Sequence, residues 1–133
     1  MTSGPPIRLR MLQALIALDA AVLLALGASL AAVPTRVAEE FGFIGLAPAM
    51  CYLLGLWGCA LISLGVGYAC SIADPVRNIN WIRAAIVRGA LECVFGFSIV
   101  HQHVLPWNQV AFGTVLAGGV TAAYLILYPR EAR

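Results

Sequence analysis

Polar residues in this chain gather between four long apolar stretches, at about residues 11–33, 47–72, 80–100 and 110–128. A helix rising about 1.5 Å per residue needs roughly 20 apolar residues to cross a hydrocarbon core. Each stretch is that long, so the pattern predicts four membrane-spanning helices. The segments between them are short enough to make sequential spans neighbours. The expected fold is therefore an all-α integral membrane protein, four transmembrane helices in an antiparallel bundle, forming one domain over residues 1–133.

Punctuation refines the picture. Pro34 ends the first span, because proline cannot continue a helix and biases its predecessor away from it. The segment PTRVAEEFGFIGLAP places Val37 and Phe41 four apart with Glu39 and Glu40 turned away, which predicts a short helix lying on the membrane surface. Gly42 and Gly45 release the chain, and Pro48 suits the first turn of the second span. Asp74 and Pro75 read as the N-cap and first position of the third span, so spans two and three form a tight hairpin. Pro106 closes the third span.

Composition agrees with the pattern. The chain is 62% hydrophobic and 11% charged, where soluble domains carry about 25% charged residues. The basic start and the small residues near Ala31 resemble a secretory signal, but Asp19 interrupts the apolar core and that core is too long, so a retained span is expected. All eight basic residues are arginine. Arg8, Arg10, Arg77, Arg83, Arg130 and Arg133 fall on one side of a four-span topology, while the other side holds Arg36 beside Glu39 and Glu40. By the positive-inside bias both termini are cytoplasmic. Tyr68, Trp81 and Tyr128 mark the inner interface, Tyr52 and Trp107 the outer one. A bacterial inner membrane is the expected location. The net charge of +2 follows from this sidedness and implies no nucleic-acid partner.

Within the second span Cys51, Gly55, Cys59, Ser63, Gly67 and Ser71 form an i, i+4 row of small residues, extended backwards by Ala47. Small residues let helix backbones approach closely in lipid, where association depends on van der Waals contact. Such a row drifts by about 40° per step around a helix of 3.6 residues per turn, so no single straight partner follows it throughout. Ala17, Ala21, Ala25 and Ser29 in the first span, and Gly113, Ala117 and Thr121 in the fourth, offer the same spacing. The sequence leaves open whether these faces meet each other or the helices of other subunits.

Three ionisable residues fall inside the spans. Asp19, Arg88 and Glu92 each cost about 2.5–3.5 kcal/mol to insert unpaired. Arg88 and Glu92 are four apart on one helix face. At about 1.5 Å per residue, Asp19 lies about 13 Å past Arg10, and Arg88 and Glu92 about 10 and 16 Å past Trp81. A cluster of Asp19, Arg88 and Glu92 is the expectation.

Metal and cofactor signals are slight. His101 and His103 sit at the outer end of the third span, near the depth of Met50 and Cys51, a donor set that suits copper. On a helix two residues apart point about 200° from each other. Haem or chlorophyll ligation by either histidine is a further alternative, although no second helix supplies a histidine for a bis-histidine haem. Cys51, Cys59, Cys70 and Cys93 form no C-x-x-C pair and behave as small apolar residues. No nucleophile elbow, phosphate loop or H-E-x-x-H is present, so no enzyme and no resident cofactor is expected.

Four short spans with a carboxylate, Asp19, in the first resemble the small multidrug resistance transporters in architecture. The acid here is aspartate rather than glutamate, and Arg88 has no counterpart in that pattern. That likeness extends to architecture only; the intramembrane acids Asp19 and Glu92 themselves leave a small homo-oligomeric carrier of a cation or amphiphile as the alternative. The residues themselves point first to a non-catalytic accessory or scaffolding subunit of an energy-converting membrane complex, respiratory or photosynthetic, surrounded by lipid and other transmembrane subunits. A pigment, haem or copper subunit using His101 or His103 is the third expectation.

Overall fold

A computed structural model describes residues 7–129. Arg130 and Arg133, used above for sidedness, lie outside the described residues. Among the described residues there are five helices: α1 (Ile7–Ala32), α2 (Pro34–Glu40), α3 (Pro48–Ser71), α4 (Ile79–His101) and α5 (Trp107–Leu127). All but α2 are long and apolar enough to cross a membrane. Helix α1 is described from Ile7, ahead of the apolar stretch, and there the Arg8 guanidinium donates to the Ile126 carbonyl. That carbonyl is among the last of α5, which no later turn of the helix can satisfy.

The chain divides into two compact units. One holds residues up to Leu15 together with those from Ala73 onward, and the other is Ile16–Ile72. In both, the buried positions alternate at spacings of three and four. Gly58, Leu61, Gly65 and Tyr68 are buried on α3; Ile82, Ala85, Gly89 and Gly96 on α4; Thr114, Ala117 and Tyr124 on α5. Leu12, Ile16, Leu23 and Leu30 continue the pattern on α1. The mean step of about 3.5 residues is that of helices packed along much of their length.

In the first unit α4 and α5 meet through glycine and threonine. A Cβ on Gly89 would overlap the Thr121 hydroxyl oxygen, and one on Gly96 would overlap that of Thr114. Both hydroxyls donate to their own helix, Thr121 to Ala117 O at 2.7 Å and Thr114 to Val110 O at 2.9 Å. They therefore fill the space above each glycine without stranding a donor in an apolar seam. Cys93 lies between the two fits, its thiol 3.4 Å from the Thr114 carbonyl. Arg83 Nε donates to the Tyr128 hydroxyl at 3.0 Å. As residue numbers rise along α4, their partners' numbers fall along α5.

In the second unit the close approach is backbone on backbone. A Cβ on Gly27 would lie 2.7 Å from the Gly58 carbonyl oxygen, and one on Gly58 equally near the Gly27 carbonyl oxygen and 2.8 Å from the Ala31 nitrogen. Further along, a Cβ on Gly65 would lie 2.8 Å from Leu24 Cγ.

Two turns shape the polar connections. After α2, Gly42 takes a φ of 85°, its N–H donates to Glu39 O at 2.9 Å, and the Phe43 N–H donates to Ala38 O at 2.9 Å. This is a Schellman motif, and glycine is needed because the left-handed conformation penalises a Cβ. The second turn corrects an expectation. Helix α4 starts at Ile79 with Asn78 as N-cap, not at Asp74 and Pro75. Instead the Asp74 carboxylate accepts from the Arg77 N–H at 3.0 Å, and its carbonyl accepts from the Asn78 side chain at 3.0 Å. Aspartate here closes a separate turn that competes with the helix for the same backbone donors. Similarly, α4 ends at His101, and Pro106 serves as the N-cap of α5.

Candidate functional site

Helix α4 carries an ion pair in its membrane-length stretch. Arg88 Nε lies 3.9 Å from Glu92 Oε1, one turn apart; the arginine side chain is 17% exposed and the glutamate 46%. A pair at this spacing stays together by helix geometry alone. Asp19 is 8% exposed and sits in the buried stripe of α1, within the other compact unit. The structure thus brings Arg88 and Glu92 together and places Asp19 as a buried carboxylate on a different element.

The small row of α3 turns outward over most of its length. Cys59 and Ser63 are exposed, Cys51 and Gly55 half-buried, and only Gly67 and Ser71 buried. A Cβ on Gly55 would meet nothing within 4 Å. The Ser63 hydroxyl donates to the Cys59 carbonyl at 3.0 Å, so this edge shows its surroundings a shallow, internally satisfied surface. On α1, Ala21, Ala25 and Ser29 likewise face out, with the Ser29 hydroxyl bonded to Ala25 O at 2.8 Å. On α5 a Cβ at Gly113 would also find open space, while Ala117 is buried with its carbonyl 3.1 Å from where a Gly89 Cβ would sit.

Gly27, Gly58, Gly65, Gly89 and Gly96 make the tightest of the described glycine contacts, and the i, i+4 reading passes over them, although Gly67 of that row is buried as well. A signal for four of them was present. Gly58 and Gly65 are seven apart, as are Gly89 and Gly96, the repeat expected of helices in a 3.5-residue register.

The histidines occupy the end of α4. His101 is its last residue, and His103 follows with a φ of 57°. The His103 N–H donates to Val100 O at 3.0 Å and the Val104 N–H to Ile99 O at 3.1 Å, a second Schellman motif with histidine where glycine is usual. Both rings are exposed. Among the described residues no group of three or more His, Cys, Asp or Glu side chains is placed to hold a metal ion. Next to the turn, Phe97 and Trp107 stack with centroids 5.7 Å apart.

No protein-family model matches this chain, and neither a curated protein nor a solved structure matches it.

Proposed function

We propose that this protein is a non-catalytic accessory or scaffolding subunit of a larger assembly in a bacterial inner membrane, docking helices of other subunits on the outward small-residue edge of α3. The observation that carries this reading is Gly55. The tight glycine contacts described within the chain lie at Gly27, Gly58, Gly65, Gly89 and Gly96, whereas Gly55 keeps open space where a Cβ would sit, in line with the exposed Cys59 and Ser63. In lipid such an edge gains van der Waals contact from a foreign helix that a leucine face would hold at a distance. The short connections support antiparallel sequential spans for this reading, and the arginine distribution supports cytoplasmic termini.

Mild-detergent extraction tests it. The chain is expected to run with other polypeptides in a defined assembly, and Gly55→Ile is expected to release it while leaving its own melting temperature within a few degrees of the natural protein. Purification of the natural chain alone, or an assembly indifferent to Gly55→Ile, would sink the reading.

A second reading rests on Asp19, a carboxylate 8% exposed in an otherwise apolar stripe, which marks an intramembrane ionisable site. On that reading the chain is a small carrier of a cation or amphiphile, and Asp19→Asn abolishes uptake by reconstituted vesicles. Unchanged uptake in the variant removes this alternative.

A further inference from the structure

Within the unit Ile16–Ile72, an apolar cavity of about 150 Å³ lies between α2, its capping turn and the facing parts of α1 and α3. Its walls include Leu30, Ala38, Phe41, Phe43, Leu54 and Trp57, and they are apolar throughout. The Schellman turn builds one wall. With Gly42 in the left-handed region the Phe43 N–H bonds back to Ala38 O, and both residues line the cavity. Phe41, Phe43 and Trp57 are each partly exposed, at 51%, 38% and 51%, so the cavity opens between aromatic rings to whatever surrounds the helices.

Two considerations fix the kind of occupant. Aliphatic and aromatic walls around a space of this size suit a benzene-sized length of hydrocarbon. Helix α2 joins the end of one membrane-length helix to the start of the next, so it lies where these helices leave the hydrocarbon. Its other side carries Arg36, Glu39 and Glu40, all exposed. One cation beside two anions complements a headgroup bearing both a phosphate and an ammonium group, and repels a bare carboxylate. We propose that the cavity under α2 takes a short stretch of one acyl chain of a zwitterionic phospholipid, whose phosphate meets Arg36 and whose ammonium meets Glu39 or Glu40.

The test uses the full chain, purified in detergent, stripped of lipid and titrated with phosphatidylethanolamine or, separately, palmitic acid. Bound molecules are counted by mass spectrometry of the intact protein. One phosphatidylethanolamine per chain is expected to survive at low lipid, with palmitic acid bound more weakly. Ala38→Leu fills the cavity and is expected to weaken retention at least about tenfold, as the loss of about two buried methylenes would. The same variant should keep or raise the melting temperature in lipid-free detergent, because it fills a void. If Ala38→Leu does not fold, Leu54→Phe fills the cavity from the α3 side and carries the same expectation. The assignment is overturned if a folded filled variant retains lipid like the natural protein, if the natural protein retains none, or if palmitic acid binds as tightly as phosphatidylethanolamine.

Discussion

Gly27 and Gly58 face each other with nothing between their backbones: a Cβ on either would stand 2.7 Å from the other's carbonyl oxygen. Backbone cannot give way as a flexible side-chain end can, so each site tolerates only hydrogen. Gly27→Ala and Gly58→Ala are each expected to cost about 1–3 kcal/mol through overpacking, against the roughly 1 kcal/mol that alanine otherwise gains over glycine in a helix. Gly55→Ala, one turn away in open space, should be neutral or slightly stabilising. Thermal unfolding in one detergent compares the three directly, and equal behaviour would show that the backbones are not in contact.

The seam between α4 and α5 gives a coupled prediction. Gly89→Ala collides with the Thr121 hydroxyl and Gly96→Ala with that of Thr114, so each single change should destabilise by about 1–3 kcal/mol. Adding Thr121→Ala to Gly89→Ala removes the colliding oxygen and should recover part of the loss. Adding Thr114→Ala to Gly89→Ala should recover none. A double-mutant cycle reads this as a coupling of about 0.5–3 kcal/mol for the matched pair alone.

His103 holds a left-handed φ of 57° in the cap of α4. Replacing it by glycine should stabilise the chain by roughly 1 kcal/mol, the order of the Cβ penalty in that region. His103→Val, branched at Cβ, should destabilise it. If His103→Gly impairs the protein's assembly while stabilising the fold, the ring has a role in binding that its strained backbone supports.

Asp74 organises the connection between α3 and α4 by accepting the Arg77 N–H at 3.0 Å. Asp74→Ala should cost about 1 kcal/mol, the usual loss when a capping side chain is removed. Asp74→Asn, which keeps an acceptor oxygen, should cost only a fraction of that. Matching losses in the two variants would mean that the charge, rather than the hydrogen bond, holds the turn.

The apolar stretches made the four long helices legible, since their length alone decides the matter in hydrocarbon. Pro34 and the Val37–Phe41 spacing likewise revealed α2. The packing face was harder to read. An i, i+4 row of small residues is conspicuous on α3, but it winds out of the buried stripe within two turns, whereas Gly58 and Gly65 stay in it because seven residues nearly complete two turns. The Gly89–Thr121 fit was hidden for a different reason. Glycine opposite threonine is complementary only across the seam, and neither residue advertises its partner along the chain. Asp74 misled because an aspartate before proline suits a helix N-cap and an independent turn alike. Arg88 and Glu92 could be paired from spacing, since a single helix fixes both. The burial of Asp19 depends on where its helix packs, which spacing does not disclose.

The repeated Gly–Thr fit along α4 and α5 also creates a chance of slippage. Sliding one helix by seven residues, about 10 Å, would set Gly89 against Thr114 and keep one of the two fits, so the interlocking surfaces separate the two alignments by a single glycine–threonine fit. The rest of the choice falls to features that do not recur: the Arg83–Tyr128 hydrogen bond at one end and the Phe97–Trp107 stack at the other. Weakening both ends together, more than weakening the middle, should let this hairpin trap itself one notch out of place.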